Sequence, residues 1–384
     1  MNRRIDPDKA KARVGKLRAR IDALDVEVQK RISERARLAQ EIAKAKQTAG
    51  STMYYRPDRE AEVLRNVIAR NEGPLADEVM VRLFREIMSA CLALESELSI
   101  AFLGPEGTFT QEAALKHFGH AVRTRPLAAI DEVFREVESG AADFGVVPVE
   151  NSTEGVINHT LDMFMNSPLK ICGEVELRIH HHLLGSAALP DAALPPPSLE
   201  SKRAAIMKGG RRVVSHQQSL AQCREWLDAN LPGIERAAVS SNAEAARIAA
   251  AEPGTLAIAS DSAAGIYGLD IVASNIEDNP DNTTRFLVIG KLSPAPSGVD
   301  KTSLLVSGKN RPGALHRLLA PLSRHGINMT RIESRPSRRS RWEYVFFVDV
   351  DGHVKDRKLA KALTALEKEA AFVKLLGSYP RAVV

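Results

Sequence analysis

Residues 8–48 run for about 40 positions without a proline, and Leu17, Ile21, Leu24, Val28, Ile32, Leu38 and Ile42 recur along them near helical spacing. A helix of about 40 residues is about 60 Å long at 1.5 Å per residue. The pattern ends at Gln47-Thr48-Ala49-Gly50-Ser51. A second helix is expected after Arg56-Pro57, with Asp58 and Glu60 favourable in its first turn. Asn71-Glu72-Gly73-Pro74 breaks that helix, and a third is expected over about 76–97. Two short partners cannot cover the long helix, so a lone copy would leave its apolar stripe bare. A dimer that buries the stripe between two chains is the expected solution, with a tetramer left open.

The pattern then changes twice. Positions 99–290 alternate strand and helix with a faint internal repeat. Ile100–Leu103 and Arg212–Val214 open the two copies, and Phe144–Pro148 and Leu256–Ala259 close them. Two α/β lobes facing each other would make a cleft rimmed by strand ends and helix N-termini, a geometry that favours carboxylates. Lys291–Asp300, rich in Pro, Ser and Gly, reads as a linker. Beyond it the order strand (Thr302–Ser307), helix, strand, strand (Tyr344–Val350), helix and final short strand suits a small ferredoxin-like module. The expected organisation is multidomain: an all-α segment over 8–97, a two-lobed α/β unit over 99–291 and an α+β module over 302–384. The Pro-rich stretch 186–210 reads as a solvent loop.

The formal charge is +5, and residues 1–98 hold 20 Lys+Arg against 16 Asp+Glu, an excess of four. A mild, interspersed excess suits small anions better than nucleic acid, which calls for a clustered basic stripe. The first forty residues are charged throughout and lack the apolar core of a signal peptide. No apolar run approaches the roughly 18 residues of a membrane span. Cys91, Cys172 and Cys223 are odd in number and far apart, so reduced thiols in a cytoplasmic protein are expected. His180-His181-His182 cannot converge on one ion, because successive strand residues face opposite sides. No metal or cofactor is expected.

In the helical segment, Arg35 and Lys46 lie eleven positions apart, which puts them on one helix face, whereas Arg18 points elsewhere. Over almost all of 10–97 the segment resembles the all-helical chorismate mutases. That resemblance places the family's active-site positions on Arg18, Arg35, Lys46, Arg59, Glu60, Cys91 and Glu95. It implies that Arg18 reaches into the partner's site. Rearranging chorismate needs only a compact conformer and stabilisation of charge on the breaking ether oxygen, so no nucleophile or metal is called for. The family often has Ser and Gln where this chain has Cys91 and Glu95. An ionised Glu95 cannot donate to the ether oxygen, so it must be protonated to work, and a mutase that weakens above neutral pH is expected.

Asn282-Thr283-Thr284-Arg285-Phe286 runs into the apolar Leu287-Val288-Ile289 after an Asn279-Pro280-Asp281 turn. Two hydroxyls, an amide and a guanidinium at a strand end are groups that could hold a dianionic substrate with a leaving hydroxyl. The stretch resembles the Thr-Arg-Phe signature of the prephenate dehydratases. Gly104-Pro105-Glu106-Gly107-Thr108-Phe109, Pro148-Val149-Glu150-Asn151-Ser152 and Ser215-His216-Gln217-Gln218-Ser219-Leu220-Ala221-Gln222-Cys223 add to that resemblance in the right order, although Gln217 stands where the family commonly has proline. The fold it implies is periplasmic-binding-protein-like. The roles it implies are Thr284 as donor to the departing C4 hydroxyl of prephenate and Arg285 as a carboxylate holder or a brace for Thr284. Asn151, Ser215 and Gln222 would orient the substrate. Glu150 is a second-choice general acid.

Asn310-Arg311-Pro312-Gly313-Ala314-Leu315-His316 and Ile332-Glu333-Ser334-Arg335-Pro336 resemble the paired signatures of phenylalanine-sensing ACT domains. The resemblance implies an effector pocket between paired subunits, built from Asn310, Pro312, Gly313, Ala314, Leu315, Asn328, Glu333, Ser334 and Arg335. Phenylalanine there would shift the equilibrium of the catalytic cleft. Arg335-Pro336-Ser337-Arg338-Arg339-Ser340-Arg341 reads as a solvated basic hairpin. The three resemblances together imply a bifunctional enzyme that takes chorismate to prephenate and prephenate to phenylpyruvate, with phenylalanine as inhibitor.

Overall fold

The computed structural model describes residues 7–50, 54–186, 199–309, 311–337 and 344–383. The expected break at Ser51, the effector residue Asn310 and the basic Arg338-Arg339-Ser340-Arg341 lie outside the described residues. Helix α1 (Pro7–Thr48) starts on a proline, whose missing N–H costs nothing in a first turn. Its apolar side chains, from Val14 to Ile42, stay exposed, Leu24 to 63% of its surface. Helices α2 (Pro57–Ala69) and α3 (Asp77–Ala93) pack on each other, and α2 buries Ala61, Leu64 and Val67.

The first lobe comprises β1 (Ser99–Leu103), α4 (Phe109–Phe118), β2 (Arg123–Leu127), α5 (Ile130–Ser139), β3 (Phe144–Asn151), β4 (Gly155–Val156), α6 (Asn158–Asn166) and β5 (Lys170–Arg178). The chain then crosses into a second lobe. Its elements are β6 (His182–Gly185), α7 (Leu199–Gly209), β7 (Arg212–His216), α8 (Gln217–Gln222), α9 (Arg224–Asn230), β8 (Glu235–Val239), α10 (Asn242–Ala251), β9 (Thr255–Ala259), α11 (Asp261–Tyr267) and β10 (Asp270–Ala273). It returns to the first lobe with β11 (Thr283–Gly290). The sheets run β2-β1-β3-β11-β5 and β10-β6-β9-β7-β8. Strand β11 lies antiparallel to both neighbours, and its Phe286–Ile289 run is buried on both faces. Part of the expected solvent loop 186–210 is helix α7, which buries Ile206 in the second-lobe core; 187–198 lie outside the described residues.

The C-terminal module is β12 (Asp300–Gly308), α12 (Ala314–Arg324), β13 (Met329–Pro336), β14 (Tyr344–Asp351), α13 (Arg357–Glu369) and β15 (Ala370–Pro380), in sheet order β13-β14-β12-β15 with every pair antiparallel. That is the expected βαββαβ order, except that the last strand is eleven residues long and not short. One sheet face packs Leu304, Val306, Val348 and Val350 under α12 and α13. The other presents Leu305, Val345, Phe347, Leu376 and Tyr379 to the first lobe, in one core with Val149, Phe164, Ile171 and Leu287. Gly377 makes this approach possible: a Cβ there would sit 2.2 Å from the Ile171 carbonyl oxygen. Lys170 Nζ donates to the Leu375 carbonyl at 2.6 Å beside it.

The helical segment docks on the same lobe. Tyr55 is buried among Phe118 and Phe144, and its hydroxyl meets His117 Nε2 at 3.0 Å. Burial holds His117 at about 3, so the ring is neutral. Glu60 faces this junction, with its carboxylate 3.8 Å from Arg85 Nε and its side chain only 18% exposed. Burial pushes Glu60 up to about 7, against a smaller opposing pull from Arg85.

Gly377→Ala should destabilise the docked module by about 1–3 kcal/mol, as overpacking does. A thermal melt superimposable on the parent would show that the close approach is not needed. The Glu60 carboxyl keeps its proton to higher pH in the folded chain than at its ordinary value of 4.5, so its contribution to stability is full below 4.5 and is lost as pH rises through about 7. The drop in melting temperature between pH 6 and pH 8 should therefore shrink in Glu60→Gln; an unchanged drop would remove Glu60 as its source.

Candidate active site

The lobes are joined by two crossings, 179–181 and 274–282, which hydrogen-bond each other. Ile179 N donates to the Asn282 carbonyl and Ile276 N to the His181 carbonyl, both at 2.8 Å. A cleft of about 230 Å³ opens beside them. The ends of β3 and β11, the N-termini of α4 and α10, and helix α8 supply its walls. Ser241 caps α10 by accepting from Glu244 N at 3.0 Å, and Ser240, Ser241 and Asn242 at that helix start line the cleft.

A chain of hydrogen bonds crosses the hinge. Asn151 Nδ2 donates to Thr284 Oγ1 and to Asn282 Oδ1, each at 2.8 Å. Asn282 Nδ2 donates to Gln222 Oε1 at 3.0 Å, and that oxygen also meets His181 Nε2 at 2.9 Å. Gln222 Nε2 reaches Glu154 Oε1 at 3.4 Å. Since Oε1 of an amide only accepts, the His181 proton sits on Nε2. Its Nδ1 is buried without a hydrogen-bond partner. Burial holds the His181 pKa below its ordinary value, which keeps the ring neutral. Thr284 Oγ1 already accepts from Asn151, so its own proton is the group it can offer to a ligand. None of the described lining residues is Lys or Arg. The cleft therefore offers neutral donors with helix N-termini, and Glu154 as its carboxylate.

Three residues expected from the sequence meet here: Asn151, Gln222 and Thr284. Three do not. Arg285 points to the opposite sheet face, where it is bonded to Glu174, Asp349 and Tyr379, so it holds no carboxylate in the cleft. The alternation of strand side chains makes this unavoidable once Thr284 faces inward. Ser215 is fully buried and its hydroxyl donates to the Ile258 carbonyl at 2.7 Å. Glu150 pairs with Arg331 of the C-terminal module at 2.9 Å and is no acid for the cleft. The sequence reading counted the Asn282 amide among the strand-end groups without giving it a role of its own, and it missed His181, Glu154 and Phe109, whose ring packs edge-on against His181 with centroids 5.6 Å apart. Asn282 stood inside the quoted pentapeptide and His181 inside the histidine triplet. The triplet diverges as expected: His180 Nδ1 meets Glu277 at 2.8 Å, and His182 Nδ1 accepts from Asn275 N at 3.2 Å.

In the helical segment Lys46 Nζ lies 3.8 Å from Glu95 Oε2 and 3.4 Å from the Tyr54 carbonyl. Glu95 is nearly buried, and Cys91, one turn earlier on α3, is buried. Arg35 is half-buried on α1 and Arg18 is exposed. One expected member is turned away within the single chain, since Glu60 faces the first lobe, while Arg59 is exposed and pairs with Glu62 at 2.6 Å. In the C-terminal module Pro312, Gly313, Leu315 and Ser334 are exposed around the start of α12 and the edge strand β13, with Ala314 half-buried. Asn328 donates to Asp351 at 2.8 Å. Arg335 and Glu333 take the other face of β13, and Arg335 pairs with Asp162 at 2.8 Å, so Arg335 is not part of that exposed surface.

Comparison with known proteins agrees with this layout. The chorismate mutase type II family model matches residues 17–96, the prephenate dehydratase model 100–294 and the ACT domain model 302–368. A bifunctional chorismate mutase/prephenate dehydratase from Stutzerimonas stutzeri is 55% identical over 373 residues, covering 96% of this chain and 98% of that protein. Two solved structures lacking a counterpart to about a quarter of the chain are also similar. One is prephenate dehydratase from Arthrobacter aurescens in complex with L-Phe, 34% identical with a TM-score of 0.64, covering 75% of this chain and 93% of that one. The other is GqqA, a quorum quenching acylase, 29% identical with a TM-score of 0.65, covering 74% of this chain and 98% of that one. Three family matches in this order, together with 55% identity to that relative over nearly the whole of both chains, establish that the chain belongs to the bifunctional chorismate mutase/prephenate dehydratase family.

Proposed function

We propose that this chain rearranges chorismate to prephenate with its helical segment (8–97), converts prephenate to phenylpyruvate in the two-lobed cleft (99–291), and is inhibited by phenylalanine through its ACT module (302–384). The observation that carries the dehydratase reading is the Asn151–Thr284 hydrogen bond, which leaves the threonine proton available to a ligand. Prephenate loses its ring carboxylate as carbon dioxide, and the electron pair released expels the C4 hydroxyl as the ring becomes aromatic. A leaving hydroxide needs a hydrogen bond that strengthens as charge develops on it, and Thr284 supplies that donor. The N–H groups at the starts of α4 and α10 suit the substrate carboxylates, which the absence of Lys and Arg among the described lining residues leaves to neutral donors. Asn151, Asn282, Gln222 and neutral His181 hold one another across the hinge, so they orient the substrate without changing charge.

For the mutase, Lys46 and Glu95 form the half-site that a single chain provides, with Arg35 one helix face along. The bare apolar stripe of α1 supports a homodimer in which Arg18 completes the partner's site. Phenylalanine binding is supported by the exposed Pro312–Leu315 turn and Ser334, and by the L-Phe complex of the Arthrobacter relative. Among the described residues no helix is long and apolar enough to cross a membrane, which agrees with a cytoplasmic enzyme.

Chorismate supplied to the purified chain should yield phenylpyruvate; accumulation of prephenate alone would leave only the mutase. Thr284→Ala should lower kcat on prephenate by about 10²-fold or more, the usual cost of one transition-state donor. KM and the melting temperature should hardly move, and full turnover would end the assignment. Arg18→Ala and Arg35→Ala chains, each inactive as a mutase alone, should recover about a quarter of the parent activity when mixed and reassembled, because random pairing gives one intact site in half of the dimers. No recovery on mixing would place Arg18 and Arg35 in the same chain's site.

A further inference from the structure

The cleft lies against one face of the ends of β3 and β11, and the opposite face of the same two strands meets the ACT module. Thr284 is paired across the ladder with Asn151, and the next rung pairs Arg285 with Glu150. Successive residues alternate faces, so the Thr284–Asn151 rung faces the cleft and the Arg285–Glu150 rung is turned away from it. The ACT sheet presents a matching rung: Arg331 on β13 is paired with Asp349 on β14. The two rungs meet charge to charge. Arg331 Nε donates to Glu150 Oε2 at 2.9 Å, and Arg285 Nη1 donates to Asp349 Oδ2 at 2.7 Å. Arg285, Arg331 and Asp349 line one void of about 10 Å³ between the sheets.

The halves of this quartet differ. Arg285 is locked: it also binds Glu174 at 2.9 Å and the Tyr379 hydroxyl at 3.1 Å, while Ser303 donates to Asp349 at 2.5 Å and Lys301 Nζ lies 2.6 Å from Glu174. The Glu150–Arg331 half is loose. The Glu150 side chain is 37% exposed, and Arg331 Nη2 is buried without a hydrogen-bond partner, so its fork is only partly engaged. Arg331 itself is 13% exposed, so the pair is screened through its Glu150 side, and more so than the buried Arg285 half. What it does connect is specific. Glu150 is joined through the backbone to Asn151, whose amide sets the Thr284 hydroxyl. Arg331 sits on the edge strand that carries Ser334 on its opposite, exposed face.

Resting on the dehydratase reading above, we infer that Glu150 and Arg331 are positioning residues for prephenate turnover. Their pair ties the placement of the Asn151–Thr284 rung to the placement of β13, and so carries the state of the ACT module into the cleft. Glue alone would already be supplied by the buried Arg285–Asp349–Glu174 cluster.

The test uses full-length chains bearing Glu150→Gln, Arg331→Met and, as the conservative control, Arg331→Lys. Chorismate mutase activity of the same preparation serves as the internal standard for folded protein. In Glu150→Gln and Arg331→Met, kcat on prephenate should fall about tenfold, less than the roughly hundredfold cost of a full 1 Å misplacement, with KM nearly unchanged. Phenylalanine should still bind in equilibrium dialysis, yet the fraction of activity it removes at saturation should shrink by more than half. Arg331→Lys should restore both readouts. If Arg331→Met fails to fold, the isosteric Glu150→Gln decides the matter. Overturning results would be a parent-like kcat and phenylalanine response in Glu150→Gln, or dehydratase and mutase losses that run in parallel with a lowered melting temperature. A parent chain that makes no phenylpyruvate from prephenate would overturn the dehydratase reading, and this coupling with it, before any variant is compared.

Discussion

The structure hinges on the insertion of β11 between β3 and β5. The first lobe is incomplete until the chain has built the whole second lobe and come back, because β11 is the strand that joins those two neighbours. Burying Phe286, Leu287, Val288 and Ile289 contributes about 1.5–3 kcal/mol for each side chain. That is enough to fix the register on both sides. With the register fixed, the return crossing must lie against the outgoing one, which creates the hinge. The same register sets Thr284 into the cleft and Arg285 toward the ACT sheet. Such non-local pairing is slow to form, since loop closure comes before any contact rewards it. In return, one strand addresses two surfaces at once.

Charge is distributed accordingly. The cleft lining keeps Glu154, two histidines and otherwise amides, hydroxyls and apolar side chains, with no Lys or Arg among its described residues, while the face behind it collects Arg285, Glu174, Asp349, Lys301, Glu150 and Arg331. Removing such groups from water is tolerable only when each finds a partner in good geometry, and the cluster pairs every cation with a carboxylate. Asp349 is accordingly held below the ordinary carboxylate range despite its burial, mainly through Arg285, while burial alone would raise it. A cleft of neutral donors has a different advantage: Asn, Gln, Thr and a neutral His keep one protonation state over a wide pH range. The developing charge of a leaving hydroxide then meets a fixed set of dipoles.

Much of this was legible in the sequence, and the failures have physical causes. Helix α1, the two lobes and the βαββαβ module follow from proline-free length, alternation and turn chemistry, which are local properties. Thr284, Asn151 and Gln222 were recognisable through the motifs that resemble the dehydratase family; Thr284 and Asn151 stand at strand ends, and Gln222 closes the short helix α8. As a carboxylate holder Arg285 was misplaced, because its neighbour Thr284 was read as sharing its surface, whereas a period of two separates them; the alternative expectation, a brace behind Thr284, is left standing. Ser215 was misplaced for a related reason, since a hydroxyl at a strand end can satisfy a carbonyl inside the sheet as readily as a ligand. Glu60 and Arg335 depend on which neighbouring segment packs against them, and nothing local encodes that. His181 and Asn282 lie on the crossings, whose mutual approach exists only after both lobes have formed. Helix α7 was hidden by the Pro-rich stretch before it, and the length of β15 by its docking on β5, where Gly377 admits the Ile171 backbone.

The helical head repeats the logic of β11 at the level of whole chains. A strand that pairs on both sides completes a lobe; a helix whose apolar side chains from Val14 to Ile42 stay exposed asks for a second surface to complete a site. The hydrophobic gain grows with the area covered, at about 25 cal/mol per Å², and a helix about 60 Å long offers more area than α2 and α3 can cover. Within one chain Lys46 and Glu95 approach each other while Arg18 is left exposed farther back along α1. In the proposed dimer the stripe that drives association and the arginine that completes the neighbouring site ride on the same helix. Assembly and mutase chemistry then depend on one burial event, just as the cleft and its control depend on one strand.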